Sequence, residues 1–300
     1  MFKGTITIMT TPFTDSGDID TEQIQKDTEY YIEIGASMVV ATGSIGEVCN
    51  LSDEERVVIW KTVKKAARNR IPVFAATIHT GTTPAIDISK KAQEIGMDGI
   101  MNMAPYYWAL SDDEILNHYE KLDKAINIPI MIYNNVNVTR RDLPPALIRR
   151  IAELENVKAI KETTPSLWKL EQVVRIAGDK LNVCNGLSVM HEPYATIMGC
   201  PAMVDPFTSF LGPITVKIHD MSVKGMYKEA YELKKKSIVP IVDYLFSFTS
   251  VGQIISAYKY ISFKEGLRKN TIIRPPLKEI DDEKKHRIDE LLELTRPYRK

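Results

Sequence analysis

Lys161 is the residue in this chain with the most chemistry open to it. It sits near the end of VKAIKET (157–163), a run whose composition suits a buried strand. Apolar surroundings disfavour an ammonium ion. A neutral amine can add to a carbonyl and form an imine, which then draws electrons from a neighbouring bond. Taken alone, the same lysine reads more readily as a strand-end residue that snorkels to solvent or pairs with Glu162.

Other runs carry groups that could work beside it. In ATGSIGE (41–47) the glycines suit a tight turn whose backbone N–H groups could hold a carboxylate, and Ser44 adds a hydroxyl. Tyr106 and Tyr107 in APYYW (104–108) and Tyr133 in PIMIYN (129–134) are either core aromatics or phenols able to pass a proton. The histidines, His79, His118, His191, His219 and His286, have no HxH or HxxxH spacing, so neither a metal nor a cofactor is expected. His79 could line a pocket at a strand end, and Cys49 follows the glycine turn. No GxSxG elbow argues for a serine hydrolase.

These groups need elements that bring them together. Short β-rich runs alternate with amphipathic stretches along the first three-quarters of the chain. Strands are expected at 5–10, 37–42, 72–78, 99–104, 129–134, 157–163, 182–186 and 201–205. Helices are expected at 21–34, from 52 onward, and at 83–95, 111–126, 144–154, 166–177, 188–198 and 213–224. Eight strand–helix units predict an α/β fold, a (β/α)₈ TIM barrel over 1–224 with a C-terminal helical extension over 225–300. An open doubly wound sheet shares the alternation, but no GxGxxG follows the first strand. In a barrel the candidate groups fall at strand C-termini, the face where such folds place their sites.

Composition narrows the function classes. Lys plus Arg and Asp plus Glu each number 39, so the net charge is zero and neither nucleic acid nor an anionic membrane is an expected partner. Cys49, Cys184 and Cys200 have no CxxC spacing, which fits a reducing compartment. The N-terminal run lacks an apolar signal core and no stretch suits a membrane span, so a cytoplasmic location is expected.

Taken together, TPFTDSGDID (11–20), GSIGEVCNLSDEER (43–56), MAPYYW (103–108), PIMIYNN (129–135), VKAIKETT (157–164) and IIRPPL (272–277) resemble the dihydrodipicolinate synthase / N-acetylneuraminate lyase family. The resemblance implies a barrel with a helical extension, usually a homotetramer, that forms a Schiff base with pyruvate or another 2-oxo acid. It implies that Lys161 forms the imine and that Tyr133 assists it and transfers protons. Gly43 and Ser44 would hold the 2-oxo acid carboxylate, and Tyr107 would reach into a neighbouring subunit's site. Ile45, Gly186 and Val204 are expected beside the substrate.

The departures bear on the substrate. Ile45 replaces a second hydroxyl in the turn. Val136 and Val138 stand where the synthases carry a proline and then a carboxylate-binding arginine, with Arg140 and Arg141 close by. Leu187–Ser188 replaces a pair of aspartates. The expected activity is therefore a class I, metal-independent aldolase that cleaves or forms a 2-keto-3-deoxy sugar acid from a 2-oxo acid and an aldehyde. Dihydrodipicolinate synthase and a sugar-acid dehydratase are the enzyme alternatives. A binder of 2-oxo acids without turnover is the alternative of a different class.

Overall fold

A computed structural model describes residues 2–299. The strands are β1 (Gly4–Ile8), β2 (Met38–Ala41), β3 (Val73–Ala76), β4 (Gly99–Met103), β5 (Ile130–Asn134), β6 (Val157–Glu162), β7 (Asn182–Asn185) and β8 (Ala202–Asp205). The helices between and after them are α1 (Thr21–Glu33), α2 (Asp53–Ala67), α3 (Thr82–Ile95), α4 (Asp112–Ala125), α5 (Val136–Thr139), α6 (Pro145–Ile151), α7 (Leu167–Ala177), α8 (Tyr194–Ile197) and α9 (Thr208–Val223). The extension adds α10 (Tyr227–Ser237), α11 (Val239–Phe246), α12 (Val251–Lys264) and α13 (Asp282–Thr295). The strands pair in parallel in sequence order, and β8 returns to β1 to close the expected barrel.

Strand side chains alternate between two buried layers, so the strands read as apolar runs rather than alternating ones. Ile6, Val40, Phe74, Met101, Met131, Ala159, Cys184 and Val204 fill the interior. Val39, Ala41, Ile100, Ile132, Ile160 and Val183 face the helices. The interior is tight enough to dictate a residue type. A Cβ at Gly99 would lie 2.3 Å from the Phe74 ring.

Local chemistry sets the helix starts. Ser52 with Glu55, and Ser111 with Glu114, form reciprocal capping boxes at α2 and α4. Asp20 and Ser166 cap α1 and α7. The expected helix 188–198 is instead a single 3-10 turn, Ser188–Met190, followed by the short α8. Pro193 lacks the N–H a continuous helix needs there. The expected 213–224 helix begins earlier, at Thr208, and bends at Leu211 (φ −127°), which leaves room for Pro213. The helix expected over 144–154 stops at Ile151, and α5 was not anticipated. Among the described residues no helix is long and apolar enough to cross a membrane.

The extension packs on α9 in a second core with Phe207, Phe210, Ile241, Leu245, Tyr258 and Leu291. A buried ion pair fastens it to the glycine turn. Lys259 of α12 bonds Glu47 and also donates to the Ile272 carbonyl at 2.7 Å. Burial, opposed by Glu47, brings Lys259 down to about 8. Arg274 N donates to Glu47 Oε2 at 3.0 Å, while the Arg274 guanidinium grips Glu55 at 2.6 and 2.8 Å. Arg268 pairs with buried Asp27 at 2.7 Å nearby.

Two outcomes follow for stability. Lys259→Met strands the Glu47 charge and should cost about 3–5 kcal/mol in denaturant unfolding. Adding Glu47→Leu should recover much of that loss, and a double variant no more stable than the single would count against an unpaired charge as the cause. His118, bonded to Asn102 Oδ1 and Thr82 Oγ1 at 2.9 Å each, is lowered to about 4 by burial. Its neutral form therefore contributes stability above the unfolded imidazole value, and that contribution disappears as pH falls toward about 4. His118→Gln should flatten this acid limb, worth on the order of 3 kcal/mol, when unfolding is measured against pH.

Candidate active site

At the C-terminal end of the barrel a cavity of about 180 Å³ opens over the strands. Lys161, 7% exposed, rises from β6, and its Nζ lies 4.1 Å from the centre of the Tyr133 ring. The two meet because β5 and β6 pair with Tyr133 opposite Lys161, and laterally paired residues in a sheet share a face. Asn135 donates to Tyr133 Oη at 2.7 Å. Burial opposes ionisation of the Tyr133 phenol. The Lys161 charge and hydrogen bonds from Asn135, Ser44 and Lys161 outweigh it, so the phenol sits below its ordinary value. It is a phenol whose proton is loosened by the charged form of its lysine neighbour.

The turn after β2 brings Ser44 and Ile45 to the same cavity. Non-glycine residues at positive φ bracket it, Thr42 at 61° and Glu47 at 58°. Surrounding bonds hold this strained backbone. Trp60 Nε1 donates to Thr42 Oγ1 at 2.8 Å, and Thr11 Oγ1 donates to the Gly46 carbonyl at 2.7 Å. Gly43 caps the 3-10 turn Ser44–Gly46, and a Cβ there would press on Ile8 at 3.0 Å. Across the cavity, a Cβ at Gly186 would lie 2.5 Å from Thr163 Oγ1, so this position requires glycine. Ser188, held at φ 57°, donates its hydroxyl to buried Asp205.

Lys161, Tyr133, Ser44, Ile45 and Gly186 thus gather on one wall system, with Gly43 behind Ser44. Val204 belongs to the barrel interior and is not on the cavity wall. Tyr107 is 72% exposed beyond β4, packed edge-on against Trp108, and does not line the cavity of its own chain. His79, expected near the pocket, lines neither cavity; its Nδ1 accepts from Thr80 N. Cys49 and Tyr106 line an adjoining cavity of about 280 Å³. That cavity shares Ser44, Asn137, Val138 and Val251 with the first. Arg140 is exposed and Arg141 pairs with Asp112, so neither puts a guanidinium on either wall.

Other lining residues were not singled out from sequence. Thr163 was detectable, because it stands two residues beyond Lys161 and a strand returns to the same face at that spacing. Asn135 and Asn137 lie between the strand expected at 129–134 and the helix expected at 144–154. Phe246, Val251, Ile254 and Tyr258 come from the extension, and no local pattern announces that α11 and α12 cover the barrel mouth.

Comparison with known proteins agrees with this architecture. The model of the dihydrodipicolinate synthetase family matches residues 1–295. A 4-hydroxy-tetrahydrodipicolinate synthase of Pelobacter propionicus is 34% identical over 235 residues, 78% of this chain and 80% of the relative. One from Clostridium perfringens is 29% identical over 282 residues, 94% of each chain. YagE, a prophage protein of the dihydrodipicolinic acid synthase family from E. coli K12 solved in complex with pyruvate, superposes with a TM-score of 0.90. It is 25% identical and aligns over 99% of both chains. The chain belongs to the dihydrodipicolinate synthetase family and is a lyase.

Proposed function

We propose that this lyase joins Lys161 to pyruvate or a related 2-oxo acid as an imine, and through it makes or breaks the C3–C4 bond of a 2-keto-3-deoxy acid. The observation that carries this is the buried lysine facing a buried tyrosine of lowered pKa across one small cavity. The pyruvate complex of YagE supports the choice of a 2-oxo acid.

The Gly43–Ser44 turn holds the substrate carboxylate, which brings C2 toward Lys161 Nζ. The amine adds to C2, Tyr133 protonates the departing oxygen, and water leaves as the iminium forms. Tyr133, now a phenolate, takes the proton of the C4 hydroxyl. The C3–C4 electrons flow into the iminium and the aldehyde departs. Protonation of the enamine at C3 and hydrolysis then return pyruvate and the free lysine. Removal of a C3 proton from the iminium, in place of C3–C4 cleavage, would give an enamine that still bears C4, and loss of its C4 hydroxyl, protonated to leave as water, would make the enzyme a dehydratase. For a sugar-acid chain, Asn135, Asn137, Thr163 and Ser188 offer uncharged polar partners on the wall. Tyr107, exposed with Trp108, is assigned to the site of a neighbouring copy in a homotetramer.

The names of the curated relatives favour a second reading, 4-hydroxy-tetrahydrodipicolinate synthase. That reaction brings a second carboxylate, on aspartate semialdehyde. Among the described residues Lys161 is the one cation on either cavity wall, with Val138 beside it. An aliphatic side chain does not replace a bidentate arginine contact.

Incubation with pyruvate and borohydride should leave a reduced adduct on Lys161, located by peptide mass spectrometry. Lys161→Ala and Lys161→Arg should both lose adduct and turnover while keeping the fold, since guanidinium stays protonated. An adduct on a different lysine would sink the mechanism. Tyr133→Phe should slow turnover by roughly 10²–10⁴-fold, the usual worth of a proton-transfer group. Condensation of pyruvate with aspartate semialdehyde should be poor in a coupled assay. Efficient synthase turnover would instead favour the second reading.

A further inference from the structure

A buried carboxylate lies directly behind Lys161, on the outward face of β6. Both oxygens of Glu162 accept from the Asn134 side-chain amide nitrogen, at 3.0 and 2.9 Å. That nitrogen also donates to Asp142 Oδ1 at 3.0 Å, and the amide oxygen accepts from Leu143 N at 3.2 Å. Lys169 of α7 pairs with Asp142 and stands 3.8 Å from Glu162 Oε2. Thr163 N donates to the Asn134 carbonyl at 3.0 Å. Glu162 and Asn134 thus tie β6 to both ends of the segment 135–143.

That segment shapes the cavity. It supplies Asn135, which holds the Tyr133 phenol, and it carries Asn137 and Val138 on the wall. The Asn134 amide has one workable orientation. Its N–H groups meet carboxylates and its oxygen meets a main-chain N–H, and a half-turn would set oxygen against oxygen. The clamp therefore depends on Glu162 as an acceptor.

We propose that Glu162 is a positioning residue for the Lys161 reaction, its carboxylate acting through Asn134 to hold the segment 135–143 so that Asn135 keeps Tyr133 aligned. This rests on the imine mechanism proposed above. Burial, the largest influence, raises Glu162 to about 7, with Asp142 adding to the rise and Lys169, Asn134 and the Thr164 N–H opposing it. Burial also raises the Cys200 thiol to about 12, with the charges of Glu192 and then Glu162 adding to the rise. An ionised carboxylate is the stronger acceptor, so the clamp tightens as pH rises through about 7.

The test follows the rate of pyruvate imine formation, trapped with borohydride, on both sides of neutral pH. It compares the intact protein with Glu162→Gln, Asn134→Leu and the double variant. The intact protein should show an acid limb near neutrality. Each single variant should be about tenfold slower, the scale of one hydrogen bond to a charged group. The apparent KM for pyruvate should stay within about twofold, because the Gly43–Ser44 turn is untouched. The component of the acid limb centred near 7 should vanish in both, and the double variant should be no slower than the slower single. A Gln variant with the intact rate and profile, or losses that simply add, would overturn the proposal. Should a variant fail to fold by circular dichroism, the intact protein decides, since an imine rate without an acid limb near neutrality refutes the clamp. No adduct in the intact protein at any pH removes the imine mechanism itself, and the clamp with it.

Discussion

Parallel strand register places Tyr133 of β5 opposite Lys161 of β6, and the working part of the molecule is arranged around that neighbourhood. Neither residue could hold its position on a free strand. Closing the sheet satisfies the backbone groups of every strand, which allows apolar side chains to occupy both faces and lets one amine rise from a dry interior. The same closure sends Glu162 outward, so a lysine and a carboxylate adjacent in sequence meet different surroundings. One enters the cavity, and the other enters a polar cluster between β5, β6 and α7.

The second constraint is the anchoring of the glycine turn. Glu47 takes a left-handed backbone conformation at the end of that turn and is completed by Lys259 and the Arg274 main chain, more than 200 residues away. Two fully buried opposite charges gain little net stability over an apolar pair, but they are intolerant of misplacement. The extension is therefore bound to the barrel at the glycine turn that lines the cavity. In the same way it delivers Phe246, Val251, Ile254 and Tyr258 to the cavity roof. Barrel and extension together make the enclosure.

The wall also bears on specificity. Around the Lys161–Tyr133 pair the remaining polar groups are amides and hydroxyls, and Val138 adds an aliphatic side chain to the same wall. Family membership is thus compatible with a change in the second substrate. The Lys161–Tyr133 pair and the neighbouring wall sit on different segments, β5 and β6 for one and the α5 region with α12 for the other, so one can vary while the other is kept.

Much of this was legible in the residues themselves. The alternation of apolar runs with amphipathic stretches, with no GxGxxG after the first strand, pointed to a barrel, because each run had the length of a strand and Asp20, Ser52, Ser111 and Ser166 suit the helix starts they cap. Lys161, Tyr133 and the GSIGE turn stood out as candidates at strand ends, and the family resemblance of the runs that carry them raised them above their bland readings. The broken helix after β7 and the early start of α9 were hidden, since Pro193 and Pro213 allow several local solutions that packing decides. Tertiary structure alone decided that Val204 is buried beneath the cavity, that His79 stands outside it, and that Arg140 and Arg141 do not reach it. It alone brought α12 over the barrel mouth and Asn134 between Glu162 and Asp142. The reason is range. Caps, turns and strand periodicity are set by neighbours a few residues away, whereas a cavity wall is set by which distant segments pack together, and no local pattern encodes that.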